Sequence, residues 1–124
     1  MTDLIACLSL GKGTWTEVLN LANSGNFENI YLITNTLVKE KINKAKFKNP
    51  EKIKFIVIDE KMDVENISDE IHKNLEGRIK DLEVALNLNS GIGKEHMAII
   101  SAVLRLGIGI RQVVWKQGSM RTIA

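Results

Sequence analysis

Two short glycine-bearing segments hold most of the residues in this sequence that could do chemistry. The first is Gly11-Lys12-Gly13-Thr14, just behind Ser9; the second is Asn89-Ser90-Gly91-Ile92-Gly93-Lys94-Glu95-His96. Each combines small residues, which let backbone amides approach a ligand, with a lysine and the start of a predicted helix whose free amides carry partial positive charge. That combination suits a phosphate or another anion. The first segment reads equally as a tight turn with Thr14 capping the helix and Lys12 solvated. Neither segment is a Walker A loop, because Ala6 and Leu88 stand where its first glycine belongs and Glu95 follows Lys94 in place of Ser or Thr. The dinucleotide fingerprint G-x-G-x-x-G is only partly present, with Thr16 at the third glycine position.

Other side chains near these loops have two readings each. His96 has the right chemistry for a general acid or base near neutral pH, yet a lone histidine in a first helical turn is also an ordinary structural residue. Trp15 can stack on a base, a contact worth about 1–3 kcal/mol, or serve as an apolar staple against a neighbouring chain or the fourth helix. Asn35 and Thr36 can reach a ribose or base edge, or simply form a turn. His72 sits on a charged helix and is expected to be idle. The sequence shows no carboxylate pair, zinc-ligand cluster or serine-histidine-aspartate set, so neither a metal nor a cofactor is expected.

The elements that must position these residues follow from hydrophobic periodicity. Apolar runs at Leu4–Leu10, Ile30–Ile33, Ile53–Ile58, Leu82–Leu88 and Ile110–Trp115 read as strands. Helical spacing appears from Thr14, whose Thr14-Trp15-Thr16-Glu17 matches a capping box, to a terminator at Ser24-Gly25-Asn26. It recurs in a short surface helix within Leu37–Phe47, over Val64–Leu75 behind an Asp63 cap, and over Lys94–Leu106. The last helix carries Met97, Ala98, Ile99, Ile100, Ala102, Val103, Leu104 and Leu106 around most of its circumference, which predicts burial on more than one side. The alternation β-α-β-α-β-α-β-α-β predicts an α/β, Rossmann-like open sheet of about five mostly parallel strands with helices on both faces. In such a sheet the ligand lies beyond the carboxyl ends of the strands, where the order reverses. Should the order be 3-2-1-4-5, both glycine loops meet there.

The totals set bounds. With 124 residues, 44% of them hydrophobic, the chain is expected to form one domain over residues 1–124. The formal charge of +2, from 17 Lys+Arg against 15 Asp+Glu, offers no global field for duplex DNA or an acidic membrane. Cys7 is the only cysteine, and no signal segment or spanning stretch appears, so a cytoplasmic protein is expected.

On Gly11-Lys12-Gly13-Thr14, Leu32-Ile33-Thr34-Asn35 and above all Asn89-Ser90-Gly91-Ile92-Gly93-Lys94-Glu95-His96-Met97, the chain resembles the CRISPR-associated Rossmann fold family over nearly its whole length. Members of that family sense or cleave cyclic oligoadenylates. The resemblance implies a homodimer, paired through the helix Lys94–Leu106, with a twofold-symmetric ring ligand seated on the same loops of both subunits. Family members often append a nuclease or DNA-binding domain; none follows Ala124, so a stand-alone sensor or ring nuclease of antiviral signalling is expected. By motif position, Lys94 would stabilise a phosphorane in a metal-independent attack by a ribose 2′-hydroxyl, Thr14 or Ser9 would position that hydroxyl, and His96 would assist proton transfer. The first loop lacks a strict serine, which leaves binding better supported than cleavage. Two other readings stand beside this one: a nucleotide-binding regulatory module without catalysis, and a structural interaction protein whose glycine loops are only turns.

Overall fold

The computed structural model describes residues 2–9, 14–42 and 46–124. Gly11, Lys12 and Gly13 lie outside the described residues, as does the Thr14 side chain. Strand β1 (Thr2–Cys7) is followed by α1 (Thr14–Ala22), β2 (Phe27–Thr34), α2 (Thr36–Lys41), a 3₁₀ turn at Pro50–Lys52, β3 (Ile53–Val57), α3 (Val64–Leu75), β4 (Glu83–Asn87), α4 (Gly93–Arg105), β5 (Gly109–Lys116) and β6 (Ser119–Thr122). The strands form one sheet in the order β3-β2-β1-β4-β5-β6, parallel throughout except for the antiparallel β5–β6 pair. This is the open, Rossmann-like sheet that the alternation of elements predicts.

The sheet carries a core on each face because its central strands are apolar on both. Leu4 and Ala6 of β1 pack with Val18 and Leu21 of α1, Leu32 of β2 and Val38 of α2. Ile5 and Cys7 point the other way, toward Ile67 and Ile71 of α3 and Ala98, Ile99 and Ala102 of α4. Two helices thus cover each face, and the connections leave β1 in one direction and β4 in the other. The border between β1 and β4 is the switch point.

Four differences from the sequence reading have physical causes. β1 ends at Cys7, because after one more backbone bond from Leu8 to Ile33 the Ser9 amide turns to Ser90; Leu10, at the end of the expected strand, lies outside the described residues. The second helix runs over Thr36–Lys41, where the Ile42 amide closes it on the Val38 carbonyl; residues 43–45 lie outside the described residues, and Phe47 beyond them is buried. A sixth strand, β6, extends the sheet: Gln117 and Gly118, both at positive φ (52° and 79°), make a two-residue hairpin turn of the kind whose twist suits antiparallel strands. Finally, α4 is buried on one side only. Ala98, Ile99, Ala102 and Val103 face α3 and the sheet, while Met97 (62% exposed), Ile100 (38%) and Leu104 (62%) are left open by the described residues.

Candidate functional site

The carboxyl edge of the sheet is stepped. The paired register puts Cys7 beside Ile33 and Leu86 beside Gln112, yet β2 runs on to Thr34, β3 to Val57 and β5 to Lys116. The two strands at the switch point, β1 and β4, stop short of their outer neighbours β2 and β5.

A seam joins the turns that leave β1 and β4. The Ser9 amide donates to Ser90 Oγ at 3.0 Å, and Ser90 Oγ returns a longer bond to the Ser9 carbonyl at 3.4 Å. Trp15, at the start of α1, donates its indole N–H to the same carbonyl at 2.6 Å. The ring packs on the α1–α2 core, the opposite side of the sheet from α4, so the staple it forms is to its own β1 turn.

Glu95 is the residue the sequence reading passed over. It occupies the first turn of α4 and is 4% exposed; Oε1 accepts the Ile92 amide at 3.0 Å and Oε2 accepts the Ser9 hydroxyl at 3.2 Å. Its bond to Ile92 is half of a capping box, the other half being impossible because isoleucine has no acceptor. Gly91 makes room for it. At φ +99°, a Cβ there would come within 2.7 Å of both Cys7 Sγ and Glu95 Oε1 and 3.2 Å of His96 Nε2. Burial, and then the nearby Glu95 charge, pushes the Cys7 thiol up to about 12. The legible signal was the glutamate three places after Ile92, a helix-start pattern whose carboxylate can also reach sideways.

The other predicted residues take varied positions. Lys94 Nζ donates to the Glu60 carbonyl at 2.9 Å, which turns it toward the β3–α3 connection. His96 Nε2 lies 2.7 Å from the Ser90 carbonyl; a carbonyl can only accept, so this nitrogen carries a proton. Asn89 is exposed and its amide donates to Asn87 Oδ1 at 3.3 Å, while Ile92 (62% exposed) and Gly93 stand at the rim. Glu17, read as the carboxylate of a capping box at Thr14, accepts Asn87 Nδ2 at 2.9 Å, and Thr14 already has helical backbone.

Asn35 is buried and caps α2, with Oδ1 accepting the Val38 amide at 2.8 Å and Nδ2 donating to Glu60 Oε2 at 3.0 Å. With exposed Thr36, Leu37, Val57, Asp59 and Glu60 and the buried Ile58 it lines an open cleft of about 500 Å³ on the β2–β3 side of the seam. A smaller cleft of about 200 Å³ lies on the other side, between the ends of β4 and β5, and includes Asn87, Asn89 and Gln112. The seam therefore lies between two clefts, one rimmed by carboxylates and one by amides. Among the described residues no three His, Cys, Asp or Glu side chains converge to hold a metal ion, and no helix is long and apolar enough to cross a membrane.

No protein-family model matches the chain, and no curated protein matches it either.

Proposed function

We propose that this chain binds a cyclic oligoadenylate as a homodimer, in the manner of the CRISPR-associated Rossmann fold family that its glycine loops resemble. The observation that supports it most is the Ser9–Ser90 seam at the switch point, the position at which open parallel sheets take nucleotide ligands. A phosphate there would be served by the free amides at the start of α4 and by Lys94, with Lys12, close behind Ser9 in the chain, as a second cation. The cleft at Asn35 would take a sugar or base, because its carboxylates disfavour a phosphate. The exposed Met97, Ile100 and Leu104, spaced along one face of α4, supply an apolar surface of the kind an isologous pair buries.

Ring opening on this site would proceed by attack of a ribose 2′-hydroxyl on the adjacent phosphate, which breaks the P–O5′ bond and leaves a 2′,3′-cyclic phosphate and a 5′-hydroxyl that takes up the proton, with Lys94 stabilising the developing charge. Binding without cleavage is a second reading, and one observation favours it. His96 Nε2 already carries a proton and spends it on Ser90, so that nitrogen is not a ready base.

The test is incubation with labelled cyclic tetra-adenylate and hexa-adenylate, followed by separation of bound ligand from products. Retained but intact ring supports the second reading, and linear product the first. Lys94→Ala should weaken affinity or cleavage at least about tenfold, the loss expected when a charge-assisted contact of about 1.5–3 kcal/mol is removed. It should leave the fold intact, since Lys94 bonds at the surface. Failure of both rings to bind would end the proposal.

A further inference from the structure

The charge of this chain is unevenly placed. Residues 39–54 carry seven lysines and two glutamates, a local charge of +5, and residues 59–76 carry seven carboxylates and two lysines, a local charge of −5, in a chain whose total is +2. No arginine falls in the basic segment. A field too weak overall to recruit a polyanion is concentrated at one place.

The fold turns that segment into a surface. Lys39 and Lys41 are exposed on α2, and Lys46 and Lys48 are exposed on the strap that leads toward β3, either side of Phe47, which is buried in the α1–α2 core. Lys44 lies outside the described residues. Asn23, just past α1, fastens the strap: its Nδ2 donates to the Lys46 carbonyl at 3.2 Å and its Oδ1 accepts the Lys48 amide at 2.9 Å. Lys39 Nζ stands 5.7 Å from the centre of the Phe55 ring, which packs on the same core. Lys54 is in register with Tyr31, whose side chain enters the α3–α4 core, and so points to the other face. Because β3 is an edge strand, the lysines wrap around the border of the sheet. Among the described residues none of them is in an ion pair, although Glu40 and Glu51 belong to the same stretch.

Unpaired cations of this kind gain affinity for a phosphate backbone by releasing its counterions. A lysine ammonium is a point charge suited to successive phosphates, whereas the planar fork that best matches a carboxylate belongs to arginine. Curvature chooses between forms of nucleic acid: a duplex is stiff, with a persistence length of about 150 base pairs, while a single strand bends to follow cations placed around an edge. We propose that the β3 edge, through Lys39, Lys41, Lys46, Lys48 and Lys54, binds the backbone of single-stranded nucleic acid without reading its sequence. With β2 between β3 and β1, this surface is separate from the Ser9–Ser90 seam and does not rest on the oligoadenylate reading.

The experiment follows the fluorescence anisotropy of a labelled, mixed-sequence RNA strand between about 50 and 200 mM salt. The logarithm of the affinity should fall linearly with the logarithm of the salt concentration. The pair Lys46→Gln and Lys48→Gln should weaken binding at least about tenfold at 100 mM salt and make the slope shallower by about 1.4, since each phosphate contact on a single strand contributes about 0.7. The pair Lys73→Gln and Lys116→Gln removes the same charge from α3 and β5 and should stay within about twofold, because exposed charges more than about 10 Å away are screened. All four lysines are exposed, so urea midpoints should match the wild type. Should the first pair unfold early, Lys39→Gln with Lys41→Gln takes its place, with the same loss expected. Equal losses in the two regions would reduce the effect to net charge and overturn the proposal, as would a wild type whose anisotropy does not move at the lowest salt. Equal affinity for the duplex of the same sequence would overturn the choice of a flexible strand, and tighter binding of polyglutamate than of RNA would overturn the choice of nucleic acid. The oligoadenylate reading stands or falls apart from all of these, because none of these lysines belongs to the seam.

Discussion

Asn87 Nδ2 stands 2.9 Å from Glu17 Oε2 and 2.8 Å from the Val113 carbonyl, so one buried amide ties α1, β4 and β5 together beneath the β4 turn. Its Oδ1 takes the Asn89 amide at 3.3 Å and so anchors the turn itself. Asn87→Ala strands these partners and should cost about 1–3 kcal/mol in urea unfolding. Asn87→Asp places a second carboxylate against Glu17, so its deficit should be larger at pH 7 than at pH 4. An unfolding midpoint that ignores both changes would strip Asn87 of this role.

Gly91 and Gly93 flank the same exposed residue but differ in what they tolerate. Gly91 combines φ +99° with two contacts at 2.7 Å, so Gly91→Ala should lose about 2–4 kcal/mol through backbone strain and overpacking. Gly93 has open space around it, and Gly93→Ala should stay within about 0.5 kcal/mol. Thermal or urea unfolding of the two variants side by side decides the matter; equal effects would mean the space under Gly91 is not tight.

The Cys7 thiol gives a pH signature. Its value of about 12 lies above the ordinary 9.0, so between the two the unfolded chain loses a proton that the folded chain keeps. The associated stability is fully present below about pH 9 and declines above it, by at most about 1.4 kcal/mol per pH unit. Unfolding measured from pH 8 to 10.5 should show this decline in the wild type and a shallower one in Cys7→Ala, where only Tyr31, whose phenol burial also pushes up, still contributes. The same burial predicts slow alkylation of the folded protein at pH 8, and prompt modification there would contradict it.

The uncovered face of α4 predicts association. Sedimentation should report a dimer for the wild type and a monomer for Leu104→Glu. Because Leu104 is 62% exposed, that substitution should leave the secondary structure of the subunit unchanged. A wild-type monomer at working concentration would remove the twofold from the functional proposal.

Much of this architecture is written in local pattern. Val64–Leu75 with its Asp63 cap reads directly from helical spacing and cap chemistry, and the structure has the same span, with Asp63 accepting the Asn66 amide at 2.9 Å. β6 was missed because Gln117-Gly118 is a weak relative of the Asn-Gly turn signal and Ser119–Thr122 has little apolar alternation. The one-sided burial of α4 was illegible for a different reason: an apolar residue looks the same in sequence whether its partner belongs to this chain or to another. The meeting of Ser9 with Ser90 could be anticipated only on condition of a strand order. Glu95 escaped notice because its meaning lies in a contact with Ser9, a residue 86 positions away.

The Ser9–Ser90 seam joins residues separated by 81 positions, and β1 and β4 must pair before they can meet. Contacts of such long sequence separation are the slow ones to establish. The seam is thus a late acquisition of the polypeptide during self-assembly. A partly folded intermediate in which β1 and β4 have not yet paired would lack it.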